Sequence, residues 1–252
     1  MLITETVAPI QPTRVPQTVF FEIDDAEIEG GWNFAHPFDL IHIRSMAGAF
    51  HSWPLVYTEA FKCLNPGGWI EILDFDDHAA LIDFFRDEPI VVEWHLTIVA
   101  AMEKAGRPLT ACHLDEEKLM ELGYVEVDSR SWELKMGNWG EEVGVSSMLL
   151  NMMLDALEAM SLRALVEFAG WEIEDVEKKT MEVRESSRRT AGRKQKAEGC
   201  ALNFKVLRGR RPEEDSVKVN GNGNGFLKTG ERDTDGESVA TLTKENTKTN
   251  GH

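Results

Sequence analysis

Apolar residues fall in short runs along the first four fifths of the chain, and the spacing within the runs alternates between the periods of strand and helix. Leu2–Val7, Thr18–Asp25 (TVFFEIDD) and Phe38–Ile43 (FDLIHI) are short apolar runs bounded by proline, glycine or acids, which predicts strands. The third is compact enough to be buried on both faces, as in a parallel sheet. Ser52, followed by Pro54, marks the start of a helix that runs to about Leu64 and presents Leu55, Phe61 and Leu64 on one broad face. Asn65-Pro66-Gly67-Gly68 cannot continue a helix and turns the chain back into a strand at Trp69–Phe75. Strand, helix and strand at this spacing form a parallel βαβ unit with a right-handed crossover.

The second half continues with helices at Glu88–Lys104, Asp115–Leu122, Glu141–Gly170 and Trp171–Arg188. Gly106-Arg107-Pro108 stops the first of these and Gly123 stops the second. Strands are predicted at Tyr124–Leu134 and Cys200–Leu207. Met148, Met152, Met153 and Met160 of the long helix read as core filling, with a binding surface as the alternative. From Gly209 onward the chain is polar and offers too little apolar surface to offset the entropy of ordering. The expected organisation is an α/β domain over residues 1–208 and a disordered polar tail over 209–252.

Composition narrows the partners. A hydrophobic content of 42% in 252 residues supports one sizeable core. The net charge of −17 is uneven: residues 1–183 hold 12 basic and 34 acidic side chains, whereas Arg184–Lys196 holds six basic and one acidic. The acidic body argues against direct nucleic-acid binding. The basic stretch is either a solvated helix end or a nuclear address or anionic-partner site. Cys63, Cys112 and Cys200 are widely separated, which fits a reducing compartment and suggests no metal site. No run reaches the roughly 20 apolar residues of a membrane span, and the N-terminus lacks a signal-peptide pattern. The expected location is cytoplasmic, nuclear or both.

FFEIDDAE (Phe20–Glu27), FDLIHIRSM (Phe38–Met46), LNPGGWIEILDFD (Leu64–Asp76), EKAGRPL (Glu103–Leu109) and GRRP (Gly209–Pro212) occur in this order. The set resembles the fungal LaeA-like S-adenosylmethionine-dependent methyltransferases of secondary metabolism, from about Val7 to Pro212. The resemblance implies a class I, Rossmann-like sheet with one antiparallel strand near its edge and helices on both faces. It places S-adenosylmethionine across the carboxyl ends of the strands. The family holds that cofactor with a Gly-rich turn after its first strand, an acid ending its second and an acid after its third.

Aligned this way, the first strand and Gly-rich loop fall before Met1, so the expected sheet lacks both and the domain reads as N-terminally truncated. Thr6 stands where the second acid belongs, and Glu5, one residue off, points to the opposite face. Asp25 and Ala26 stand at the adenine-reading position. Arg44, leaving the third predicted strand with Ser45 and Met46, lines the pocket in the family; the alternative is a structural pair with Asp74. The expected cofactor-binding residues are therefore Asp25, Ala26 and Arg44. No catalytic residue is assigned, although His51 and His78 follow strand exits and are the nearest candidates for a base. Gly221–Gly225 matches a bare GxGxG but has no strand before it and no helix after it.

The absent strand leaves three possibilities: the first two strands slide across, a partner supplies a strand, or the natural chain starts earlier. The implied role is methylation of a small molecule in a fungal secondary-metabolite pathway, or regulation of that pathway. The alternative is a non-catalytic scaffold. The expected partner is correspondingly a small-molecule substrate or a protein that completes the sheet edge, with no membrane and no nucleic acid.

Overall fold

The computed structural model describes residues 2–6, 14, 16–23, 25–28, 30–75, 79–137, 143–191 and 201–213. Most of the predicted tail, Gly221–Gly225, His78 and Cys200 lie outside these. The first compact unit of the chain runs from Met1 to Val217.

Two sheets form. β1 (Leu2–Thr6) and β2 (Val19–Ile23) pair in parallel, with Thr6 opposite Ile23. A four-stranded sheet holds β3 (Phe38–Arg44), β4 (Leu64–Phe75), β6 (Ala201–Arg210) and β5 (Val125–Lys135), in that spatial order. β3 and β4 are parallel, and β6 runs antiparallel to both of its neighbours. One antiparallel strand beside an edge strand is the expected arrangement. The first two strands do not slide across: among the described residues neither is hydrogen-bonded to the larger sheet.

α1 (Trp53–Cys63) makes the crossover between β3 and β4. Ser52 caps it, its Oγ accepting from the Leu55 N–H, as the sequence predicts. Its buried face is Trp53, Val56, Tyr57, Glu59 and Ala60, whereas Leu55 is exposed. This face packs on Ile70 and Ile72 of β4, Leu207 of β6, and Leu119 of α4 (Glu116–Glu121). The Asn65–Gly68 segment bulges out of β4, so that Phe38 faces Leu64 but Leu40 already faces Trp69.

β3 departs from the expected double burial. It is an edge strand, and Leu40 is 57% exposed. On that face the His42 ring lies 2.9 Å from the Glu71 carboxylate, both near the solvent. An apolar run signals burial only where a neighbour covers it, and no described strand lies beyond β3.

The second core cluster gathers α2 (Ala79–Phe84), α3 (Pro89–Lys104), α5 (Val143–Leu162), a π-helical segment (Arg163–Phe168) and α6 (Ile173–Ala191). α5 buries Leu149, Leu150, Leu154 and Leu157, so its leucines take the core. Met148, Met152 and Met160 are exposed, contrary to a core-filling role, and only Met153 packs on the cluster. Glu88 ties α6 to α3 by accepting from the Ser186 and Thr190 hydroxyls at 2.7 and 2.6 Å.

β6 continues through Gly209 and Arg210, across the domain boundary expected at residue 208. Arg211 then anchors the bulge: its N–H donates to the Gly68 carbonyl and its carbonyl accepts from Gly67 N–H. Its guanidinium donates to the carbonyls of Phe61, Lys62 and Leu64 at the end of α1 and lies over the Phe61 ring.

Candidate functional site

Open parallel sheets place ligands beyond the carboxyl ends of their strands, and here that rim is the exit of β3 beside the exit of β4. β3 ends at Arg44, and Ser45 turns the chain with a left-handed φ of 56°. The turn is held from below. Ser45 N–H donates to the Leu73 carbonyl at 2.9 Å. Asp74, 2% exposed near the end of β4, accepts from the Met46 and Ala47 N–H groups at 2.9 and 2.7 Å through one oxygen. Its other oxygen accepts from Phe75 N–H at 2.9 Å.

A buried aromatic and polar cluster stands behind this turn. The His113 ring is 1% exposed, and its Nε2 lies 3.4 Å from the Asp74 carboxylate. That is ion-pair range without hydrogen-bond geometry, and neither ring nitrogen has a hydrogen-bond partner. Trp53 stacks on the imidazole at 4.1 Å, the planes 9° apart. The Tyr57 hydroxyl donates to the His113 carbonyl, and the Tyr124 hydroxyl donates to the Tyr57 carbonyl at 3.0 Å. Burial pushes both phenols well above their ordinary range.

The loop after β2 reaches the same neighbourhood. Glu27 caps the approach to α1, its two oxygens accepting from His51 and Ser52 N–H at 3.0 and 2.7 Å. Arg107 of the EKAGRPL segment lies 3.7 Å from Glu27 and donates to the Ala49 carbonyl. The Ala26 carbonyl accepts from the Trp32 indole at 2.9 Å, and Ala26 packs on the α1 cluster.

The structure thus places the sequence candidates unevenly. Asp25 is exposed, and its carboxylate accepts from the Glu27 N–H at 2.9 Å, which closes the loop. Arg44 is exposed and makes no ion pair among the described residues; the Arg44–Asp74 alternative does not form, because backbone amides and His113 surround Asp74. His51 is exposed and contributes only its backbone to the Glu27 contact. Thr6 and Glu5 lie in β1, where only the backbone is described. Sequence reasoning missed Asp74 and His113 as partners and Glu27 as a cap, because each contact joins segments 24 or more residues apart.

The described residues fit part of S-adenosylmethionine. By the resemblance, the loop acid would take the adenine side and the exit turn the substrate side of such a site. Among the described residues no glycine cradle accompanies them. Gly48, the glycine of the β3–α1 turn, has its Cβ direction filled by Leu109 at 2.6 Å, and that of Gly31 is filled by the Glu59 carboxylate at 2.3 Å. Among the described residues nothing holds the methionine part, and no group of three or more potential metal ligands is found. An open groove of about 800 Å³ lies elsewhere, along α3 and against Phe168. No described helix is long and apolar enough to cross a membrane.

A methyltransferase-domain family matches residues 6–130. The methyltransferase pytC of Aspergillus terreus is 26% identical over 197 residues, which cover 75% of this chain and 59% of pytC. The secondary metabolism regulator laeA of Monascus pilosus is 28% identical over 185 residues, covering 71% of this chain and 50% of laeA. The alignments thus span about half to three fifths of these relatives' own lengths. Among solved structures, the cyclopropane synthase MmaA2 of Mycobacterium tuberculosis superposes with a TM-score of 0.45 at 16% identity, over 82% of this chain and 69% of the synthase. The methyltransferase-domain match and the similarity to pytC and laeA together support a LaeA-like fungal methyltransferase family for this chain.

Proposed function

We propose that this chain acts in a fungal secondary-metabolite pathway as a S-adenosylmethionine-dependent methyltransferase-like protein, methylating a small molecule or taking part in the pathway's regulation. The observation that carries the reading is the convergence of the Asp25–Glu27 loop, through Glu27, on the end of the β3–α1 loop where it enters α1. In this reading Asp25 and the backbone after it face the adenine end of the cofactor, and Arg44 and the following turn face the reacting end. S-adenosylmethionine supplies an electrophilic methyl group when bound. The protein's share is alignment of the acceptor with that group.

A second reading has its own support. The outer edge of β3 carries an exposed Leu40 and no described strand beyond it, and an apolar edge of this kind takes up a strand from another chain. A non-catalytic role, in which a partner completes the edge, follows from it.

Calorimetric titration of S-adenosylmethionine into the folded 252-residue chain separates the two. Micromolar binding, weakened about tenfold or more by Asp25→Ala, supports the first reading. Binding that Asp25→Ala leaves unchanged removes Asp25 from the site. A folded chain that binds no cofactor but co-purifies stoichiometrically with a partner supports the second.

A further inference from the structure

The Ser45 turn needs a reason to exist. A residue other than glycine is disfavoured in the left-handed region and persists there only where its surroundings over-determine it. Here the over-determination is Asp74, whose carboxylate holds the two N–H groups that follow Ser45. Asp74 is itself a buried acid, and such a group must be oriented and compensated. His113 Nε2 is the one side-chain nitrogen of the described residues within ion-pair range of it. The imidazole has little freedom: Trp53 stacks on its face, and the Tyr57 hydroxyl holds its backbone carbonyl.

The geometry points to His113 as a positioning residue for the turn at the end of β3. Its imidazole, held by the Trp53 stack with Nε2 3.4 Å from Asp74, backs the carboxylate; Asp74 fixes Met46 and Ala47; and the turn so fixed presents Arg44 and Ser45 at the rim. The chain of contacts joins the His113 loop, β4 and the β3 exit through three segments distant in sequence. Its relevance to ligand binding rests on the reading of that rim as the site, but the contacts themselves do not.

The test is amide hydrogen exchange on the full chain without cofactor, comparing the native protein with His113→Phe, His113→Gln and Asp74→Asn. Phe keeps an aromatic ring on Trp53 and removes the nitrogen; Gln restores a donor near the Nε2 position. His113→Phe is expected to speed exchange at Met46 and Ala47 about tenfold while Ile70 and Ile72 in β4 keep their native protection. His113→Gln recovers most of the protection. Adding His113→Phe to Asp74→Asn changes exchange at Met46 and Ala47 no further, because the two act in series.

Exchange at Met46 and Ala47 within twofold of native in His113→Phe overturns the proposal, as does a His113→Gln protein that behaves like His113→Phe. Equal acceleration at every amide also overturns it, since His113 is then only part of the core. If His113→Phe does not fold, His113→Leu takes its place in the cycle with Asp74→Asn: additive effects on the two amides reject the series arrangement. A positive exchange result with no S-adenosylmethionine binding leaves the positioning role standing and removes the cofactor reading.

Discussion

The chain has two tyrosines, Tyr57 and Tyr124, and the structure buries both, at 0% and 3% exposure. Their hydroxyls hydrogen-bond to buried backbone carbonyls, so each phenol is both desolvated and committed as a donor. Burial is the main cause of their raised pKa values, and the acidic neighbours Asp115 and Asp74 add to it for Tyr57. The unfolded phenol titrates near its ordinary value of 10.0, whereas the folded one keeps its proton to higher pH. The unfolded state therefore binds fewer protons above pH 10, and stability falls as pH rises through that range. Each phenol contributes a slope of about 1.4 kcal/mol per pH unit, and the pair about 2.7. Tyr57→Phe removes one share of that slope but leaves the His113 carbonyl without its donor, at a cost of about 1–1.5 kcal/mol. The two stability curves should cross roughly one unit above the unfolded value, near pH ~11, with the native chain more stable below and the variant more stable above. Urea midpoints measured across the alkaline range give the slopes, and the difference between the two proteins cancels the titration of lysines common to both. The phenolate ultraviolet band gives an independent reading, since no third tyrosine contributes. Phenolate absorbance rising around pH 10 while circular dichroism stays native, or parallel stability curves for the two proteins, would refute the burial of these hydroxyls.

Two further substitutions test the scaffold around the site. Arg211→Met keeps an apolar stem over Phe61 but removes charge-assisted bonds to the carbonyls ending α1, and should lower stability by about 2–3 kcal/mol. Arg210→Met, whose acidic partners Glu126 and Glu213 are each more than half exposed, should move the urea midpoint much less, and equal shifts would contradict the anchoring role of Arg211. Gly48→Ala should cost about 2–3 kcal/mol, because it combines a left-handed φ of 75° with a Cβ 2.6 Å from Leu109. At Gly30, where φ is 98° but nothing lies within 4 Å of a Cβ, the same change should cost about 1–2 kcal/mol, and a reversed order in thermal melts would reject the packing at Gly48.

What the sequence made legible was local. The Ser52 cap, the Gly123 stop and the βαβ spacing each depend on a few neighbouring residues, and each stands in the structure. Burial of a face was less legible. FDLIHIR has the composition of a central strand, yet Leu40 is exposed because burial depends on what lies alongside β3. The methionines of α5 misled in the opposite sense. An unbranched side chain fills gaps well, but the leucines of the same helix already occupy the core-facing stripe, and three of four methionines turn outward.

The candidate site is least legible of all because its parts meet only through topology. Asp25 could be found as the acid after a strand. Asp74 reads equally well as a strand-end carboxylate, and His113 as one of seven histidines in no ligand pattern. Their connection appears only when β4 carries Asp74 under the exit of β3 and the loop before α4 brings His113 against Trp53. The same topology explains why the GRRP segment belongs to the domain: Arg211 reaches the end of α1, about 150 residues earlier, because β6 lies beside β4. α1 is therefore fixed at both ends by distant residues, Glu27 at its start and Arg211 at its finish. The helix that backs the β3 exit is thereby held independently of the open edge of β3. A ligand or partner strand arriving at that edge would meet a turn already set in place, so that little of the binding free energy is spent on ordering the chain.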